Sequence, residues 1–274
     1  LARFEEGEAL CRQAQDLLER SGGSDTRLAG FSFNQLGTML WRAGRFGEAA
    51  TAFRQAVRFL SADGSDGAVA WNNLGRALME LKQYAEAEQV FRQALDLDRR
   101  IRGSGHPAIA STLRSISQVC GRLESWPEAE MVAREALAVS ETTKGPHHPE
   151  TAICLNDLGV VVLSLGRFDE AEKLLNRACR ILERTVGVEH PDHAGALVNL
   201  AVLHEKRGRQ AEAEALYRRA LAILQTSLGT AHPLVVRCLE HLALLYQNAG
   251  RLDEATTVMM QLLDAREQNP RQRN

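Results

Sequence analysis

Lysine, aromatic residues and cysteine are all scarce in this chain, and each scarcity removes a class of function. Four of the 33 basic residues are lysine, and 35 acidic residues outweigh them for a net charge of −2. Nothing there would draw the chain toward nucleic acid or an anionic membrane. Aromatics make up 5% of the residues, too few for a surface that stacks bases. No apolar run approaches the ~20 residues that a membrane-spanning helix needs. Five cysteines (11, 120, 154, 179 and 238) form no CxxC pair. An odd count without a framework reads as reduced thiols in a cytoplasmic protein. Glycine-rich phosphate loops, HExxH and GxSxG are missing as well. The expectation is therefore no enzyme, no cofactor and no metal, with neither nucleic acid nor membrane as a partner. Arginine and alanine are abundant, which points to a GC-rich, bacterial genome.

The abundance that matters is self-similarity. His-Pro occurs at 106-107, 148-149, 190-191 and 232-233, each 42 residues after the last. Gly103, Gly145, Gly187 and Gly229 precede them at the same interval. After each His-Pro the same apolar pattern runs on: "HPAIASTLRSIS", "HPETAICLNDLG", "HPDHAGALVNLA", "HPLVVRCLEHLA". Two copies without His-Pro stand upstream, at 33–57 and 71–97, separated by 38 residues. Residues 4–18 match 168–182, so the sequence opens at Leu1 halfway through a repeat and reads as a piece of something longer.

Within a copy, apolar residues recur at i, i+3, i+4 and i+7, as at Leu155, Leu158 and Val162, then Phe168, Ala171, Leu175 and Ala178. That spacing predicts two helices per repeat. A Gly-Arg turn separates them at 44-45, 166-167, 208-209 and 250-251, where glycine suits a left-handed cap. Small residues mark close helix approach: Gly37, Gly75, Ser117, Gly159, Ala201 and Ala243 in the first helices, with alanine in the second. The result is an all-α fold, an α-solenoid of stacked antiparallel helix pairs.

The stretch "KGPHHPETAICLNDLGVV" (144–161) looks like chemistry, with His147, His148, Cys154 and Asp157 close together. The repeat explains it otherwise. Proline at a first helical position loses no hydrogen bond, and the residue before it suits a cap. Successive His-Pro motifs lie on separate helices, too far apart to share one zinc ion. Cys154 and Cys238 occupy a slot held elsewhere by Ser32, Ala70, Thr112 and Ala196, which wants a small side chain. The "EAE" runs at 86–88, 128–130 and 212–214 read as a solvated outer face.

The order of Trp71, Leu74, Gly75, Leu78, Ala87, Phe91 and Ala94 resembles the tetratricopeptide (TPR) repeat. The 42-residue period with His-Pro between copies is similar to the variant of kinesin light chains, and similar arrays stand beside NTPase or protease domains in bacterial multidomain proteins. The resemblance spans 1–267 and implies a single domain wound as a right-handed superhelix, with six repeats plus an N-terminal half-repeat. Helix pairs are expected near 27–60, 67–101, 107–141, 149–185, 191–227 and 233–267, the half-repeat at 4–20 and a polar tail at 268–274. Repeat 3 departs most, with "TLRSIS" and Trp126-Pro127.

In a solenoid the first helices line a concave surface, where partners bind. Asparagine recurs there at Asn34, Asn72, Asn73, Asn156 and Asn199. An amide both donates and accepts, so it can hold a peptide backbone whatever the side chains. The resemblance implies that role for Asn72, Asn73 and Asn156. Arg42, Arg76, Arg114 and Arg122 make the early groove basic, Asp157 is a polar groove residue, and Val160, Val198, Val202 and Leu244 make the later groove apolar. The first slot of the same column reads Phe31, Val69, Ser111, Ile153, Gly195, Arg237. The expected partner is a protein or extended peptide, acidic over repeats 1–3 with an apolar or aromatic anchor over repeats 4–5. The alternative is a regulatory or sensor segment acting on an NTPase or protease domain of the same protein. Apolar residues at the two ends (Phe4, Leu10, Leu17 and Leu18; Val258, Met259, Leu262 and Leu263) predict weak end-to-end self-association.

Overall fold

The computed structural model describes Arg12 and residues 26–60 and 64–268. The half-repeat at 4–20, apart from Arg12, and the tail beyond Gln268 lie outside the described residues, as does Cys11. The described residues form twelve helices and no strand. In chain order these are α1 (Thr26–Arg42), α2 (Phe46–Leu60), α3 (Ser65–Glu80), α4 (Tyr84–Arg102), α5 (Pro107–Arg122) and α6 (Trp126–Lys144). Then follow α7 (Pro149–Ser164), α8 (Phe168–Thr185), α9 (Pro191–Lys206), α10 (Gln210–Leu228), α11 (Pro233–Asn248) and α12 (Leu252–Glu267). Contacts divide the chain into two compact units, Leu1–Thr143 and Lys144–Asn274.

Each predicted His-Pro opens a first helix, and the reason is visible at every copy. The histidine sits in extended backbone at the N-cap, and its Nδ1 accepts a hydrogen bond from the amide two residues on. The distances are 3.2 Å from Ala108, 3.1 Å from Glu150, 3.1 Å from Asp192 and 3.2 Å from Leu234. Imidazole here does the work usually given to serine or aspartate, while proline fills N1. His147, its neighbour, is simply exposed. Replacing His232 by alanine should therefore cost about 1 kcal/mol in urea denaturation, and by asparagine much less. Equal losses would show that the ring matters for its bulk rather than for the cap.

The helix pairs close on Schellman-type turns. Arg45, Arg167, Arg209 and Arg251 donate their backbone N–H to Leu40, Val162, His204 and Tyr246 at 2.9, 3.1, 2.9 and 2.9 Å, the 6→1 bond that needs a left-handed residue between. Glycine supplies it at 44, 166, 208 and 250, with φ from 71° to 79°. In repeats 2 and 3 the same turn is made without glycine, by Lys82 and Glu124 at φ 59°.

The core of each pair is a large residue set against a small one. A Cβ on Gly37 would lie 2.6 Å from the Phe53 ring, one on Gly75 2.6 Å from the Phe91 ring, and one on Gly159 2.8 Å from Leu175. Where repeat 3 replaces this pair with Ser117 and Ala133, the buried Ser117 hydroxyl donates to Ala129 O at 2.9 Å.

Within each unit the first helices also touch one another: α1 with α3 and α3 with α5, then α7 with α9 and α9 with α11. The second helices are tied instead by ion pairs. Arg54 meets Glu86 at 2.8 Å, Arg92 bridges Glu88 and Glu128, and Arg251 reaches back to Glu214. The "EAE" carboxylates are thus stitches between successive repeats and not a merely solvated face. Being largely exposed, each contributes little to stability.

Candidate functional site

The contact between first helices is where the asparagines lie. Asn73 Nδ2 donates to Asn34 Oδ1 at 2.9 Å, joining α3 to α1. Asn199 Nδ2 donates to Asn156 Oδ1 at 2.9 Å, joining α9 to α7. These are two copies of one rung, each linking neighbouring repeats diagonally between slots one residue apart. The expected single row of asparagines is thus a set of bonded pairs. All four amides are half-buried. Each pair still holds an unbonded N–H group, on Asn34 or Asn156, and an unbonded carbonyl oxygen, on Asn73 or Asn199. Asn72 is used differently. Its Nδ2 donates to Ala68 O at 3.0 Å and its Oδ1 accepts from Thr112 at 3.2 Å, so it is committed to packing α3 against α5.

In the first unit, Thr38, Trp41, Arg42, Phe53, Asn73 and Arg76 line a pocket of about 190 Å³. The Arg76 guanidinium lies 5.1 Å over the Trp41 ring, and both Arg42 and Arg76 are exposed. The structure thus gathers Asn73, Arg42 and Arg76 at one place. Arg114 and Arg122 sit on α5, half-buried and exposed respectively, and do not line that pocket. Trp41 and Phe53 escaped the sequence reading because both fit the apolar core stripe.

In the second unit, Val160 and Val202 are half-buried and Leu244 is 47% exposed. Val198 departs from expectation: at 2% exposed it is core, and offers no surface to a partner. Its slot is polar or charged in the other repeats, so column alignment alone assigned it to the groove. Asp157 is half-buried and engaged in an interaction of its own. A second pocket of about 130 Å³ opens a turn earlier than the valines, over Ile153, Asn156, Gly195, Asn199, Leu234 and Arg237.

Three of the buried thiols are held in an unreactive form. Burial pushes the thiols of Cys179 and Cys238 up to about 12 and that of Cys120 to about 11, so they stay protonated at neutral pH and are poor nucleophiles. Glu88, Cys120 and Glu128 bring three candidate metal ligands within 4.8 Å. The Arg92 guanidinium already pairs with both carboxylates there.

Two histidines carry a pH response. Burial depresses the His204 imidazole below its ordinary range, helped by Arg209, and its Nδ1 is buried without a partner. Burial likewise depresses His241, which stacks on Tyr217 at 5.6 Å. A folded-state value below the unfolded one means that the unfolded chain binds protons more readily. Stability is therefore present above the ordinary histidine value of about 6.5 and is lost as pH falls through and below it. Thermal melts should give a lower midpoint at about pH 5 than at about pH 7.5, with a shallower slope in His204→Leu/His241→Phe. A flat profile in the wild type would refute this.

These features define an array of helix-pair repeats whose first helices touch one another within each unit. The tetratricopeptide repeat family model matches residues 1–62, 68–142, 119–184 and 187–268, and a second tetratricopeptide repeat model matches 34–100. The chain belongs to the tetratricopeptide repeat family. No curated protein sequence matches it. Solved structures similar to it include BtubC (BKLC) from P. vanneervenii, at 19% identity and TM-score 0.68, covering 84% of this chain and 94% of that one. A kinesin-light-chain-like protein of Podospora anserina with nearly identical TPR-like repeats is similar at 22% identity and TM-score 0.61, covering 74% and 96%. A Rap protein complexed with competence and sporulation factor is similar at 16% identity and TM-score 0.63, covering 92% and 79%. At such identities the likeness is one of fold. No helix among the described residues is long and apolar enough to cross a membrane.

Proposed function

We propose that the protein is a non-catalytic, cytoplasmic interaction scaffold that holds extended peptide segments against its first helices. The observation that carries this reading is the repeated Asn–Asn rung. Two amides locked to each other at 2.9 Å keep one donor and one acceptor fixed in orientation, the complement of a peptide unit. The rung recurs in both units with the same slots and the same polarity, which structural need alone does not require. Around the first rung, Arg42 and Arg76 favour an acidic segment. Around the second, Val160, Val202 and Leu244 favour an apolar one.

The test is capture from a lysate of the source cells, read by mass spectrometry. Wild type is compared with Asn34→Ala/Asn73→Ala/Asn156→Ala/Asn199→Ala, shown by circular dichroism to remain folded. A partner held by the wild type and lost by the variant supports the reading. A partner held equally by both removes it.

A second reading has one observation in its favour. A likeness of fold to a Rap protein complexed with competence and sporulation factor covers 92% of this chain, and such a surface would equally serve regulation of a neighbouring domain. End-to-end association would use α12, where Met260 is 63% and Leu263 58% exposed while Val258 is buried. Light scattering that shows a monomer at high concentration would count against it.

A further inference from the structure

We infer that the notch above Gly195 is a specificity pocket for one aliphatic side chain of a bound peptide. The inference rests on the peptide-binding reading above and names what the second unit selects.

Gly195 lies inside α9, where glycine weakens a helix relative to alanine. The glycines at 37, 75 and 159 are explained by the side chains packed onto them, whereas nothing lies within 4 Å of a Cβ built on Gly195. Packing does not require it. Its slot holds a side chain in every other repeat, among them Ile153 before it and Arg237 after it. Removing that side chain leaves a gap in the row, walled by Ile153 and Leu234 and edged by the Asn156–Asn199 rung.

The volume, about 130 Å³, is close to the ~150 Å³ cavities that accept a single benzene-sized group. It is about the size of one branched aliphatic side chain. The rung on its edge places a donor and an acceptor where the same residue's backbone would pass. Asp192 and Arg237 also line the notch, so its rim carries charges of both signs.

The test is a displayed library of random peptides selected against the wild-type chain, followed by affinity measurement on synthetic peptides of the enriched sequence. The expected result is a shared Leu, Ile, Val or Met at one position. Gly195→Phe, which fills the notch, should weaken these peptides at least about tenfold, and Gly195→Ala by a smaller factor while raising thermal stability. Undiminished binding by Gly195→Phe overturns the inference. Peptides that lack a common aliphatic position, yet are lost by Asn156→Ala/Asn199→Ala, overturn the notch and leave the peptide-binding reading standing. Peptides indifferent to both changes, or no enrichment over an unrelated helical array, overturn both.

Discussion

Replacing Phe91 by alanine is expected to lower the stability of the chain by about 3–5 kcal/mol, the largest loss of any single substitution considered. Phe91 is fully buried in α4, and its ring lies against a place in α3 that has no side chain. The opposing residue is Gly75, where even a Cβ would come within 2.6 Å of the ring, so nothing on that side can move in to fill the space. A cavity that cannot collapse loses transfer energy and packing contacts together. Repeat 3 makes the useful contrast. Its own slot already holds Ala133, beside Ser117 in place of glycine, and the serine bonds to Ala129 O. Repeat 2 has no such substitute. Urea denaturation followed by circular dichroism measures the effect, with the exposed Gln93→Ala as a control expected to change little. A loss below about 1 kcal/mol for Phe91→Ala would mean that the repeats are loosely packed.

The second large effect concerns binding. Removing both rungs, through Asn34→Ala/Asn73→Ala/Asn156→Ala/Asn199→Ala, should weaken a captured peptide by about 2–4 kcal/mol, or roughly 30- to 1000-fold. Neutral hydrogen bonds are worth about 0.5–1.5 kcal/mol each, and several are lost at once. The fold should tolerate the change, because the four asparagines are only half-buried. Asn72→Ala alone should behave in the opposite way. Its two bonds go to Ala68 and Thr112, so it should alter stability more than affinity. Isothermal titration with a peptide from the captured partner, beside thermal melts, separates the two behaviours.

The architecture was legible because repetition averages away ambiguity. A single His-Pro could mean many things; four at one spacing with glycine ahead of each mark a helix start, and each histidine is found capping its helix. The large-against-small packing of Gly37, Gly75 and Gly159 followed from the same register. The site was less legible, for physical reasons. A column of homologous slots says which face a residue shares but not how deeply its own repeat is packed, which is how Val198 came to be counted as surface. Pairing between Asn73 and Asn34 crosses from one repeat to the previous one and shifts by a slot, a relation invisible to an alignment that stacks like on like. The ion pair of Arg92 with Glu128 was hidden similarly, since residues 36 apart meet only once the helices stack.

The most direct test of the account is site-specific photo-crosslinking in the source cells. A photoreactive residue would be placed in turn at Val69 and Leu244 on first helices, and at Gln93 and Arg180 on second helices, all of them exposed. The account predicts crosslinked partner at Val69 and Leu244 and little at Gln93 or Arg180. Crosslinks confined to Gln93 and Arg180 would contradict it and place recognition on the second helices instead.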